Sequence, residues 1–225
     1  MSTADDGPMT PPPIEAVLAC IEADARAGRV DGWSWSTVID EKVGEAVVER
    51  ELFERIHEVG GVDARFPVGN AGLIHVYGYL FSTVRTPYGY KSDRWNDGVL
   101  AGALGLPDGW FRLGDSATET PLQRVSDAAR PLLADPSRSS QVAEWEADGI
   151  RQRAVITPPA GGGSAALVSG IDDGSGMKLL TIFPVGDTAA FFRDTLAGEP
   201  RLRWNAARPP SPWPQTRRRV PVTDA

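Results

Sequence analysis

Near Ser140 the hydrophobic period of the chain changes from that of helices to that of strands. This shift restricts the fold more than any other feature. Before it, Ile14, Val17, Leu18, Ile21 and Ala25 recur at helical spacing, with Glu15, Glu22, Asp24 and Arg26 elsewhere on the cylinder, and Gly28 stops the pattern. A second amphipathic stripe, Val48, Leu52, Ile56 and Val59, ends at Gly60 and Gly61. "NDGVLAGALGLP" predicts a short helix capped by Asp97 and ended by Gly105 or Pro107. Another helix is expected from about Pro121 to Leu133, with Leu122, Val125, Ala129 and Leu133 inward.

After Ser140 the segments are strand-like. "QVAEWEADGIRQRAVITPP" predicts a hairpin turning at Asp148–Gly149, and "AALVSGIDDGSGMKLLTIFPV" a second turning within Asp173–Gly176. A helix capped by Asp187 and a final strand "RLRWN" are expected to follow. Successive hairpins imply an antiparallel sheet. Helices segregated ahead of it imply α+β architecture: helices in the N-terminal part, antiparallel β hairpins in the C-terminal part, one compact domain. Its limits are expected near residues 14 and 206. Polar, Pro-rich residues 1–13 and the Pro/Arg-rich tail 207–225 are expected to be disordered.

Two segments carry mixed signals. "DGWSWSTVID" alternates and predicts a short strand. Residues 72–84 fit a helical stripe (Leu73, Val76, Tyr77, Leu80, Phe81, Val84) by length, and a strand by their Val, Ile, Tyr and Phe content. The helix is the reading adopted.

Charge and motif content exclude several functions. Residues 201–225 hold six Arg and one Asp of the chain's 23 basic and 30 acidic side chains, which leaves 17 against 29 in residues 1–200. An acidic body repels phosphate backbones and anionic lipid, so nucleic acid and membrane are not the expected partners. No apolar run nears the roughly 18 residues that span a bilayer, and the N-terminus lacks the pattern of a secretory signal. A cytoplasmic location is therefore expected. Cys20 stands alone, which excludes an intramolecular disulfide and Cys-based zinc, and its apolar neighbours predict an inert thiol. His57 and His75 are the only histidines and form no metal-ligand pairing. His57, on a charged helix, reads as a surface or boundary residue. G-x-S-x-G and the phosphate-binding glycine motifs are absent. No metal and no cofactor are expected.

One stretch gathers chemistry-bearing side chains: "GLIHVYGYLFSTVRTPYGYKSDRW", residues 72–95. His75 and Tyr79 share a face in either a helix or a strand, since four residues make about one helical turn and two strand repeats. An imidazole beside a phenol supplies an acid/base group and a proton donor. Arg85, Tyr88, Lys91 and Arg94 follow, on a turn predicted at Thr86–Gly89. Aromatic walls with a few cations suit a small carboxylate-bearing anion. Two functions follow as expectations. The first is a metal-independent enzyme acting on a small anionic metabolite, with His75 and Tyr79 catalytic and Arg85, Tyr88, Lys91 and Arg94 binding. The second is a non-catalytic small-molecule-binding or protein-interaction/regulatory domain, which uses the same pocket or holds a protein partner through its Arg/Pro tail.

Overall fold

Pro13 precedes the first helix, α1 (Ile14–Arg26), where a missing N–H does no harm. The computed structural model describes residues 7–33, 38–40, 43–64, 71–87, 89–114, 116, 118–147, 149–160 and 163–186. The expected helix at Asp187, the strand at 201–205 and the Arg/Pro tail lie outside the described residues.

Helix α1 packs against α2 (Arg50–Gly60). Val17, Leu18 and Ile21 face inward as their spacing requires, and so does Asp24, which the sequence reading had placed on the outer cylinder. On α2 the inward side is Phe53, Ile56, His57 and Gly60. Compared with the expected stripe, this face is turned towards His57, which is buried and not a surface residue. Gly60 is buried against Leu73, where a Cβ would lie 2.7 Å from Leu73 Cδ1, and Gly61 ends the helix in the left-handed region at φ 65°.

The ambiguous stretch is helical in two short pieces, α3 (Gly72–Val76) and a 3-10 turn, Gly78–Phe81. Every residue from Ala71 to Leu80 is buried. An element enclosed on all sides has no polar face, so helical and strand periods fit it equally well. A two-stranded hairpin of β1 (Arg85–Thr86) and β2 (Gly89–Tyr90) follows, then a 3-10 turn, Lys91–Trp95, and α4 (Val99–Ala103). The N-cap of α4 is Gly98, in the left-handed region at φ 74°, and not the expected Asp97, which sits one residue earlier and accepts from the Val99 N–H at 2.9 Å. In α5 (Pro121–Ala134), Thr120 accepts from the Gln123 N–H at 3.2 Å, and Leu122, Val125, Ala129 and Leu133 are all buried as expected.

The second half is the expected pair of hairpins. β3 (Gln141–Ala147), β4 (Ile150–Ile156), β5 (Ala165–Asp172) and β6 (Met177–Val185) form an antiparallel sheet in the order β3-β4-β5-β6. Gly149, at φ 74°, turns the first hairpin. A bulge shifts the register between Ser169, opposite Thr181, and Gly170, opposite Leu179. Helix α5 lies across β4, β5 and β6. On that face Val155, Ala166, Val168, Leu179 and Ile182 join the helices in the main core. On the other face Ile156, Ala165, Leu167 and Val185 form a second buried cluster. The molecule is thus α+β, with its helices mostly N-terminal. Among the described residues, "DGWSWSTVID" contributes no strand: Asp31 and Gly32 end a 3-10 turn, Val30–Gly32, and Trp33 and Ile39 form isolated bridges with Leu179 and Ala46. No helix among them is long and apolar enough to cross a membrane.

Candidate functional site

The sequence placed a site around His75, and the fold decides what surrounds that ring. α3 sets His75 against β6, the last strand of the sheet. Its Nε2 lies 2.7 Å from the Ile182 carbonyl oxygen and 3.0 Å from the Ile182 N–H nitrogen. When protonated, Nε2 donates to the oxygen; when not, it accepts from the nitrogen, so either neutral tautomer is satisfied. The Thr181 hydroxyl is 3.3 Å from both ring nitrogens. Tyr79 and Trp95 pack edge to face on the ring at 4.9 and 5.1 Å, and Trp95 Nε1 donates to the His75 carbonyl at 3.1 Å. Burial pushes the imidazole pKa down to about 3; the Ile182 carbonyl opposes this shift, while the charges of Arg94 and Lys91 deepen it. A neutral ring held this way ties α3 to the sheet. It is not presented to a molecule arriving from solvent.

Of the cations of the stretch, Lys91 and Arg94 gather near Tyr79 and Arg85 does not. Lys91 Nζ sits 2.5 Å from Asp40 Oδ2, 3.4 Å from the Tyr79 hydroxyl and 5.0 Å from the centre of the Tyr79 ring. Desolvation works to lower the Lys91 pKa, but Tyr79 and Asp40 outweigh it and hold the ammonium above its usual value. Desolvation raises the Tyr79 phenol, with Lys91 and Arg94 opposing. Arg94 is half-buried beside this cluster. Arg85 is exposed on β1, its guanidinium carbon 5.7 Å from the Tyr90 ring centre. The fold therefore brings His75, Tyr79, Lys91 and Arg94 together and directs Arg85 onto Tyr90. Tyr88 lies outside the described residues.

Two polar centres went unread in the sequence. Asp24, fully buried, accepts from the Tyr77 hydroxyl, from Thr120 Oγ1 at 2.6 Å and from Arg29 Nη1 at 3.1 Å. Desolvation and then Asp24 raise the Tyr77 pKa well above its ordinary value, and the same two causes raise that of the half-buried Cys20 thiol. The thiol stays protonated, as its apolar setting implied. Asp24 was detectable: it follows Val17 by seven and Ile21 by three, in register with the apolar stripe. The other centre is His57, whose Nδ1 lies 2.6 Å from the Phe53 carbonyl oxygen and whose ring stacks on Phe53 at 4.1 Å. Its Nε2 has no hydrogen-bond partner among the described residues, and burial lowers its pKa to about 4.

An open concavity lies elsewhere. A groove of about 360 Å³ runs between the end of α4, the outer side of α5 and the loop joining β4 to β5. Leu104, Leu106, Ala128 and Leu132 supply its apolar wall, Pro158 and Ala160 its far side, and Asp127 and Arg138 its charges. Its size falls in the ordinary range of small-ligand sites. No signal in the sequence marked it, since its lining comes from segments more than fifty residues apart. Comparison of the chain with family models, with curated proteins and with solved structures finds no match in any of the three.

Proposed function

We propose that this chain is a non-catalytic small-molecule-binding domain whose ligand lies in the groove between α4, α5 and the β4–β5 loop. The groove itself is the observation that carries this reading: an open, mostly apolar recess with one guanidinium, that of Arg138, to orient a carboxylate. The burial of His75, with its ring nitrogens engaged by β6, favours binding over the enzymatic expectation. Apolar area supplies affinity here and the charged groups supply orientation.

The test is a thermal-shift and amide-resonance screen of small apolar carboxylates, amines and amino acids. A ligand present at 100 times its Kd adds about 2.7 kcal/mol of stability to the wild type. The variant Ala160→Trp places an indole in the groove and should abolish the response. A response that survives in Ala160→Trp, or a screen without any response in the wild type, would refute the reading.

A further inference from the structure

The geometry points to an apolar zwitterion, a free amino acid or dipeptide with a hydrocarbon side chain, as the occupant of this groove. The inference rests on the groove reading above and concerns the two charges beside its apolar wall. Asp127 is exposed on α5 and Arg138 is exposed on the 3-10 turn Pro136–Arg138 that follows the helix. Among the described residues neither enters an ion pair. Asp135, the acid nearest Arg138 in the chain, accepts from the Ser137 N–H at 3.1 Å and from the Ser137 hydroxyl at 2.5 Å; the Arg138 charge only adds to the Ser137 bonds in lowering its pKa.

Pro131 lies inside α5 and has no N–H, so the main-chain carbonyl of Asp127, four residues earlier, lacks its helical donor. Asp127 and Arg138 both line the groove. One part of the lining thus offers a carboxylate to a donor, and another offers a guanidinium to an acceptor.

A simple anion would meet Arg138 but also the Asp127 carboxylate. A simple amine would meet Asp127 but also Arg138. Only a ligand bearing both an ammonium and a carboxylate pairs with each, while its side chain covers Leu104, Leu106 and Leu132.

The test measures the affinities of L-leucine and leucyl-leucine against their halves, 4-methylpentanoate (no amine) and 3-methylbutylamine (no carboxylate). Wild type, Asp127→Asn and Arg138→Gln are compared; both positions are exposed, and a melting curve confirms that each variant is folded. At least one zwitterion should bind about tenfold or more tightly than either half. Asp127→Asn should remove its advantage over 4-methylpentanoate, and Arg138→Gln its advantage over the amine. A half-ligand that binds as well as the zwitterions, or zwitterion binding unchanged in both variants, overturns the inference. The groove reading then still stands if Ala160→Trp blocks that half-ligand. If none of the four compounds binds, the inference is overturned, and the wider screen alone decides whether the groove reading falls with it.

Discussion

Thr120 stands 96 positions after Asp24, and its one hydroxyl serves both the start of α5 and the buried carboxylate of α1. It donates to Asp24 Oδ1 at 2.6 Å while accepting from the Gln123 N–H at 3.2 Å. Thr120→Ala therefore removes a helix cap and one partner of a buried charge together. The expected loss is about 2 kcal/mol in urea unfolding, combining typical costs for a cap and a buried hydrogen bond. Thr120→Ser should recover most of it, because the hydroxyl is what matters. A Ser variant as weak as the Ala variant would show that the lost methyl, not the hydroxyl, sets the cost.

Lys91 and Asp40 form a largely buried ion pair, with side-chain exposures of 13% and 3%. Lys91→Met keeps the aliphatic stem on Tyr79 but removes the cation that balances the buried carboxylate, and should destabilise the protein by about 3 kcal/mol. The double variant Lys91→Met/Asp40→Leu should be more stable than Lys91→Met alone. Equal melting temperatures for the single and double variants would contradict this.

Acid should weaken the fold well above the carboxylate range. His57 and His75 have folded-state pKa values of about 4 and about 3, against 6.5 in the unfolded chain. Between those values the unfolded state binds more protons, so stability is fully present above pH 6.5 and falls as the pH drops. From pH 7 to pH 5 the two rings together should remove on the order of 4 kcal/mol, read from urea midpoints. His57→Leu should roughly halve that slope, and it also removes a buried nitrogen that has no partner among the described residues. A pH-independent midpoint between 7 and 5 would mean that neither ring is buried neutral.

Gly170 lets α5 approach the sheet closely. A Cβ there would lie 2.7 Å from Leu133 Cδ1 and 2.8 Å from the Lys178 carbonyl oxygen. Gly170→Ala should cost about 1–3 kcal/mol by overpacking, and the double variant Gly170→Ala/Leu133→Ala should regain part of it. Additive losses in a double-mutant cycle would mean that Leu133 is not the obstacle.

The architecture was legible because period and punctuation agree after Ser140: Gly149 sits where the first hairpin turns, and Leu122, Val125, Ala129 and Leu133 repeat where α5 meets the sheet. Residues 72–84 resisted reading for the opposite reason. With Ala71 to Leu80 wholly enclosed, hydrophobicity carries no phase. The inward turn of Asp24 and His57 was hidden by their polarity, although each lies on the buried face of its helix. Treating every charge as outward misplaced them both. The sharing of a face by His75 and Tyr79 was deducible from spacing alone. What else would crowd the imidazole was not, because Ile182 lies 107 residues away. A groove assembled from α4, α5 and a β loop leaves no mark on any one segment.

The His75–Ile182 contact also bears on aggregation. β6 ends the sheet, and a bare terminal strand is a template on which another chain can grow. At Ile182 the imidazole occupies the main-chain positions that an incoming strand would need, and Trp33 bridges at Leu179 nearby. At the opposite margin, β3 carries the exposed Glu146, whose charge discourages a second copy from lying alongside, while Glu144 is paired with Arg153 of β4. One margin is obstructed and the other is guarded by repulsion, so the ring that first looked like a catalyst helps to keep the sheet at four strands.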